Sequence, residues 1–388
     1  MQRIRVGVIY GGRSVEHEVS IISALQAMGA LDKNKYQAVP IYISKQGVWY
    51  TGEALLDLNK YRNMDSLLKE CHRIYFSQNN GDYLLVGTAP AGLLKKQLEE
   101  KIDVVIPVIH GTHGEDGSLQ GLLELSGMPY AGPGVLSGAL GMDKIVMKAV
   151  LKEAGLPVPD YVGFYYWQWQ DDEEGMIKNI LGKINYPLIV KPANLGSSIG
   201  ITKVANDEQL KEAVALAASF STRLIVEKVI TPLREINCAV LGSPQEMEVS
   251  LCEEPVSAEE ILSFQDKYLH SGKGMSGATR RIPADLTPEQ EAEFQDLARR
   301  AFVALDGYGV CRIDFLMDSS TGKIYINEAN TIPGSLSFYL WEPKGKSFSM
   351  LMDDLCRLAL KRSRTKEKMI FSYSSNILSQ GGFKGGKK

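Results

Sequence analysis

Long apolar runs are missing from this chain. The longest clean one, Val104–Ile109, falls far short of the ~20 residues a membrane helix needs. Val6–Tyr10 is too short for the apolar core of a secretion signal and runs straight into Gly11-Gly12-Arg13. Cysteine is scarce: Cys71, Cys238, Cys252, Cys311 and Cys356 are an odd number without a C-x-x-C. That argues against a disulfide framework or a zinc site and for buried thiols in a reducing, cytoplasmic setting. An excess of one charge is also absent, since 43 Lys and Arg stand against 46 Asp and Glu, a net charge of −3 over 388 residues. The body as a whole is therefore a poor binder of nucleic acid or a membrane surface. Two common nucleotide signatures fail. Gly345-Lys346-Ser347 would need a glycine at 340 for a Walker A loop, and that residue is Leu340. Gly132-Pro133-Gly134 is followed by Gly138, one residue too late for G-x-G-x-x-G. Internal repeats are not apparent.

What remains is an ordinary globular composition, 44% hydrophobic and 23% charged, long enough for two or three folding units. Ile4–Tyr10 is a β-branched run ending in Gly11-Gly12, a buried strand feeding a tight turn. Val15, Val19, Ile22, Leu25 and Met28 then recur at helical spacing. Ala38–Ile43 and Val104–Ile109 are further strands, so the first ~125 residues read as an open parallel sheet. Its ligands would gather at Gly11–Glu18 and His110–Gly117, beyond strand ends. Prolines and glycines around Pro129–Pro159, with a helix near Asp143–Ala154, mark a boundary. Beyond it, Leu188–Lys191, Arg223–Val229, Ile236–Leu241 and Met247–Leu251 read as antiparallel strands of an α+β unit. Phe294, Leu297, Ala301, Phe302 and Leu305 form a helical stripe. Val310–Met317 and Lys323–Glu328 are late strands joined at Asp318–Gly322. The expected divisions are 1–125, 126–220, 221–361 and a basic, flexible tail, 362–388.

Three groups of residues carry chemistry. Lys191-Pro-Ala-Asn-Leu-Gly196-Ser197-Ser198-Ile-Gly200 follows a strand, and a lysine with a Gly/Ser loop suits phosphate. A plain flexible loop with an exposed lysine is the alternative. On the second group, strand alternation puts Arg312 and Asp314 on one face, with Cys311, Ile313, Phe315 and Met317 on the other. Glu328 and Asn330 share a face in the same way. Two carboxylates and an amide make a hard oxygen site of the kind Mg²⁺ takes beside phosphates, and a guanidinium there would hold a transferring phosphoryl group. An exposed polar face with Asp–Arg pairing is the alternative. The third group is the pair of loops holding Glu16 and His110, His113 and Glu115. Glu16 could simply favour a helix dipole, and the histidine loop lacks a distant fourth ligand for zinc.

Together these residues resemble the D-alanine–D-alanine ligases of the ATP-grasp superfamily, over roughly residues 1–360. The motifs follow family order: GGRSVEHEVS, HGTHGEDGSLQGLLE, MDK at 142–144, VKPANLGSSIG, VEK at 226–228, DKY at 266–268, RIDF at 312–315 and NEANTIPG at 327–334. The resemblance implies a parallel-sheet domain followed by a two-part ATP-grasp fold, and a Mg²⁺-dependent ligase (with Mn²⁺ as the alternative ion) acting in peptidoglycan precursor synthesis. ATP phosphorylates one D-alanine to an acyl phosphate, and the neutral amine of a second attacks it. By the same resemblance Lys144 and Lys191 contact phosphates, with Ser198 in the phosphate loop. Glu227, Lys228 and Ile230 take the adenine, and Glu235 the ribose. Asp314, Glu328 and Asn330 hold the metal, and Arg312 faces the acyl phosphate. Glu16, Ser197 and Tyr268 close the active site, Lys267 and Tyr268 lie on a mobile loop beside Gly272–Gly277, and His110 lines the substrate pocket. A homodimer is the family expectation. One position departs: family members usually carry serine nine residues past Asn330, where this chain has Tyr339, with Ser337 two residues upstream. Both are candidates for the second substrate's carboxylate. Tyr268 matches dipeptide-forming members, which favours D-alanine over D-lactate as acceptor.

Rival readings are a ligase joining D-alanine to D-lactate or D-serine, and a non-catalytic nucleotide sensor whose tail touches nucleic acid. The tail, residues 361–388, holds eight basic residues and one acid and reads as a solvated helix end with a Gly/Lys terminus. Removing everything after Leu360 is accordingly expected to leave stability unchanged, unless Ile370 and Phe371 dock.

Overall fold

The computed structural model describes residues 3–77, 79–88, 97–196, 199–255 and 280–374. Ser197, Ser198, Lys267, Tyr268 and the Gly272–Gly277 lid lie outside the described residues. No helix among those described is long and apolar enough to cross a membrane.

The first sheet holds β1 (Ile4–Gly11), β2 (Tyr36–Ile43), β3 (Trp49–Thr51), β4 (His72–Phe76), β5 (Leu84–Gly87), β6 (Glu99–Lys101) and β7 (Val104–Pro107), in the order β6-β5-β4-β3-β2-β1-β7. β1 pairs in parallel with β2 and β7, as strand–helix–strand alternation implies. The other pairings are antiparallel. Among the described residues between β2 and β6, the one α-helix is the short α2 (Met64–Lys69), which is not the helical crossover that parallel strands require. β1, flanked by β2 and β7, is buried almost throughout, packed by α1 (His17–Ala30) and, from the other face, by α3 (Ser118–Leu125). α1 starts two residues after the exposed Val15, and Ile22 and Leu25 are only half-buried. Its deepest face is Val19, Ser20, Ser23, Ala24, Ala27 and Met28, so two serines take places where the spacing suggested isoleucine and leucine. Val105 bridges Tyr130, which carries this unit past the expected end at 125.

α4 (Val135–Met142) and α5 (Lys144–Glu153) link to the second sheet, β8 (Tyr161–Tyr165), β9 (Leu188–Pro192), β10 (Thr202–Val204) and β11 (Arg223–Lys228). α5 begins at Lys144 because Asp143 accepts the backbone N–H groups of Ile145 and Val146, each at 3.0 Å. The sheet is antiparallel in the order β10-β9-β11-β8, covered by α6 (Tyr166–Asp171), α7 (Glu173–Leu181) and α8 (Asp207–Ala218). β11 lies between β9 and β8, so the unit runs to Lys228 and not to the expected 220.

The third sheet is β14-β13-β12-β15-β16, from β12 (Leu233–Ser243), β13 (Glu246–Pro255), β14 (Arg280–Arg281), β15 (Gly309–Asp318) and β16 (Ile324–Asn330). α9 (Pro288–Ala304) starts at a capping box between Thr287 and Gln290 with Pro288 in its first turn. It buries Phe294, Leu297, Ala298, Ala301 and Phe302 against Ile313, Phe315 and Ile326. One sheet face is thereby committed to the core, and the other is left polar. Four cysteines are buried and Cys71 half-buried, all free thiols.

α10 (Phe348–Lys366) runs beyond the expected start of the tail at 362. The Arg362 guanidinium lies 4.1 Å from the Tyr130 ring centroid and 4.4 Å from that of Tyr308. It donates to the carbonyls of Gly132 at 3.0 Å and Tyr130 at 2.6 Å, and Lys366 pairs with Glu124. Ile370 and Phe371 are exposed, 87% and 79%. The earlier expectation for the tail is thus corrected. Truncation after Leu360 removes charge-assisted bonds of ~1.5–3 kcal/mol each and two cation–π contacts of ~0.5–2 kcal/mol. It should lower the melting temperature by several degrees, whereas truncation after Lys368 should not. Equal melting curves for both would show that Arg362 is not a tie.

Candidate active site

Loops from the first sheet meet the polar face of the third. β1 turns sharply at Gly11 and Gly12, φ +86° and +92°, where a Cβ on Gly11 would sit 2.3 Å from the Ile43 carbonyl oxygen. The turn sets Glu16 at the start of α1, 7% exposed. Its carboxylate lies against Gly111 and Gly196, where added Cβ atoms would come within 2.8 and 3.2 Å. Both glycines leave room for it, which joins the two N-terminal loops to the phosphate-type loop.

His110 is buried and both ring nitrogens are engaged by the protein. Nδ1 lies 2.9 Å from the Ile332 carbonyl, which places the proton there, and Nε2 accepts from Ser23 Oγ at 3.0 Å. Ser23 Oγ accepts from the Ser335 backbone N–H at 3.0 Å, and Ser335 Oγ donates to Gln26 at 2.7 Å. His110 therefore ties α1 to the loop after β16. Ser335, Leu336 and Ser337 all have φ of 49–52°, a left-handed turn worth ~1–2 kcal/mol of strain per residue. The His110–Ser23–Ser335 chain helps hold it. Burial pulls the His110 pKa down, against the opposing pull of Glu16. Unfolding lets the imidazole regain its ordinary pKa near 6.5, so the unfolded chain takes up more protons as pH falls below that value. Stability should decline on acidification below about pH 6.5, and His110→Asn should flatten that slope. An unchanged slope would place the titration elsewhere.

Glu115 accepts the N–H groups of Gly111 at 2.8 Å and Ile332 at 3.0 Å. Burial, then Glu16, push its carboxyl up to about 8. It is a clasp between loops, missed in the sequence because it stood beside two histidines. Among the described residues no three His, Cys, Asp or Glu side chains group as a metal centre.

On the third sheet the registers Arg312↔Asn330, Asp314↔Glu328, Asn237↔Asp314 and Asn237↔Glu253 bring their side chains onto one face. Arg312 Nε and Nη2 donate to the two oxygens of Asp314 at 2.6 and 2.7 Å, and Asn330 Nδ2 donates to Asp314 at 2.9 Å. The Asp–Arg pair weighed as the plain alternative is present, within the expected constellation. Tyr339 reaches it too: Arg312 Nη1 is 3.5 Å from the phenol oxygen, which donates to Glu253 Oε1 at 3.3 Å. The Arg280 guanidinium sits 4.1 Å from its ring centroid. Ser337 is fully buried, and its Oγ has no hydrogen-bond partner among the described residues.

The lysines arrive from the second sheet and α5. Lys144 Nζ donates to the Leu195 carbonyl at 2.9 Å and lies 3.5 Å from Glu328 Oε2. Lys191 Nζ donates to Glu227 Oε2 at 2.8 Å and to Asn327 Oδ1 at 3.3 Å. Glu227 is 1% exposed, so its carboxylate is a counter-ion for lysine, and only its backbone would remain for the adenine contact expected of it. Lys228 is exposed at the end of β11, Ile230 is half-buried in the link to β12, and Glu235 is half-buried on β12. Sequence reasoning missed Lys148, Asn237, Glu253 and Arg280. Lys148 alone left a trace, four residues after Lys144 on the same helix.

Comparison with known proteins gives the family. Residues 5–133 match the family model described as D-ala D-ala ligase N-terminus, and residues 150–357 the one described as D-ala D-ala ligase C-terminus. The chain is 43% identical over 376 residues to a D-alanine--D-alanine ligase of Thermoanaerobacter sp. (strain X514), covering 94% of this chain and 99% of that one. To the ligase of that name from Thermosipho melanesiensis it is 41% identical, covering 97% and 98%. Among solved structures, the D-alanine-D-alanine ligase of Coxiella burnetii superposes with a TM-score of 0.79 at 32% identity, covering 95% and 97%. The VanG D-Ala:D-Ser ligase of Enterococcus faecalis gives 0.77 at 34% identity, covering 92% and 100%. Motif order, sheet register and these matches over nearly the whole length agree: the chain belongs to the D-alanine–D-alanine ligase family.

Proposed function

We propose that this chain joins two molecules of D-alanine at the expense of ATP, giving D-alanyl-D-alanine, ADP and phosphate. The observation that carries the reading is the convergence of Lys144 and Lys191 on β16, within 3.5 Å of Glu328 and 3.3 Å of Asn327, facing Arg312 and Asp314. The lysines neutralise the triphosphate while a carboxylate oxygen of the first D-alanine attacks the γ-phosphorus and the bond to ADP breaks. The neutral amine of the second D-alanine then adds to the acyl carbon. Arg312 stabilises the oxyanion that forms, and phosphate leaves with the labile oxygen. Glu16 and the 110–117 loop wall the substrate from water, which would otherwise consume the intermediate.

Asp314, Glu328 and Asn330 are oxygen donors at registered positions of adjacent strands, a set that fits Mg²⁺ or Mn²⁺. When bound, such an ion would spread the negative charge of the phosphates. The closure role of Ser197, Tyr268 and Lys267, and the phosphate contact of Ser198, rest on the family resemblance, as do a cytoplasmic homodimer and a supply of dipeptide to peptidoglycan precursors.

The acceptor is the specific point at issue, because Tyr339 fills the position where a serine is usual and because a D-Ala:D-Ser ligase is a structural relative. A fixed D-alanine donor should be offered D-alanine, D-serine, D-lactate and other small D-amino acids, with products identified by mass. D-alanine should be consumed preferentially at neutral pH. Preference for D-serine or D-lactate would replace the acceptor, and failure of every D-amino acid to trigger ADP formation would end the ligase reading.

A further inference from the structure

One buried charge has no part in the chemistry above. Lys148 lies one turn beyond Lys144 on α5 with its side chain wholly buried. An ammonium out of water carries a penalty of several kcal/mol unless it is paired and hydrogen-bonded. Its partners are the Asn327 carbonyl at 3.0 Å and Glu227 Oε1 at 3.2 Å. Glu227 uses its other oxygen to hold Lys191, and Lys191 also touches the Asn327 side chain. Two ammoniums and one carboxylate thus share a dry space with a net charge of +1. Without Lys148 the remaining Lys191–Glu227 pair would be neutral, and a phosphate would have to compete with Glu227 for Lys191.

We infer that Lys148 is a positioning residue for the nucleotide: it compensates Glu227, so that the charge of Lys191 stays available to a phosphate of ATP. Burial pulls the Lys148 ammonium down to about 8, against the pull of Glu227, which leaves it charged at neutral pH. Burial raises the Glu227 carboxyl, but Lys148 and Lys191 outweigh this and hold it at about 2. The groups facing Lys148 are Glu227 on β11, Lys191 on β9, Lys144 on its own helix and the Asn327 carbonyl on β16.

This inference rests on the cleft being the ATP site, and the test separates the two. Affinity for a non-hydrolysable ATP analogue with Mg²⁺ should be measured by calorimetry on the full chain, its Lys148→Met variant and the Lys148→Met/Glu227→Gln double variant. Lys148→Met should weaken binding about tenfold or more, the scale of one lost charge interaction in a partly desolvated site. The double variant, with no carboxylate left to compensate, should return close to the parent. If Lys148→Met does not fold, the pH profile decides. The parent should lose affinity between about pH 7 and pH 9 more steeply than the double variant, as Lys148 loses its proton. A folded Lys148→Met with parental affinity, a double variant as weak as the single, or identical pH profiles would each overturn the inference. A parent that binds no nucleotide would overturn the ATP reading as well.

Discussion

Glu328→Gln should lower turnover about a hundredfold or more while leaving the fold intact. The substitution keeps the shape and removes one charge from the donor set of Asp314, Glu328 and Asn330, in a reaction whose barrier is dominated by phosphate charge. Glu328 is also 3.5 Å from Lys144, so its loss loosens the lysine as well. Its side chain is 27% exposed, and the core on the other face of the sheet does not depend on it. Melting curves should therefore match the parent. Steady-state turnover at limiting Mg²⁺ is the measurement, and near-normal rates would remove Glu328 from the metal site.

Arg312→Lys should be at least as damaging, with a fall in kcat of about 10²–10³. The guanidinium spans both oxygens of Asp314 and still presents Nη1 towards Tyr339. A lysine is a point charge on a flexible stem and cannot fork in this way. Nucleotide affinity should stay within about twofold of the parent, because Lys144 and Lys191 supply the phosphate contacts. A matched loss of nucleotide binding would place Arg312 in ATP recognition and not at the reacting carbonyl.

The strand periodicity of 311–317 separated Arg312 and Asp314 from Ile313 and Phe315, because alternation is a local property of extended backbone. The α9 stripe was legible for the same kind of reason, with 294, 297, 301 and 302 all buried. The antiparallel half of the first sheet was not, since pairing among β3–β6 depends on long-range register. Nor was the left-handed turn at Ser335–Ser337, which no residue type there announces; Ser23 and Gln26, which help hold it, reach it from about 310 residues earlier. Glu227 shows the same limit more sharply. The motif marked its position, but the identity of its partners, Lys148 and Lys191, needed two adjacent strands of one sheet and a helix to be brought together. Arg362 reads as solvated charge in the sequence, because its contacts with the rings of Tyr130 and Tyr308 are made across the fold.

Transfer of isotope from D-alanine tests the acyl-phosphate ligase most directly. The chain should be incubated with ATP, Mg²⁺ and D-alanine carrying ¹⁸O in both carboxylate oxygens, and the phosphate and dipeptide analysed by mass. Attack of a carboxylate oxygen on the γ-phosphorus, followed by loss of phosphate to the incoming amine, leaves one labelled oxygen in each phosphate for every dipeptide made. Dipeptide accompanied by unlabelled phosphate, or phosphate released without dipeptide, would contradict it.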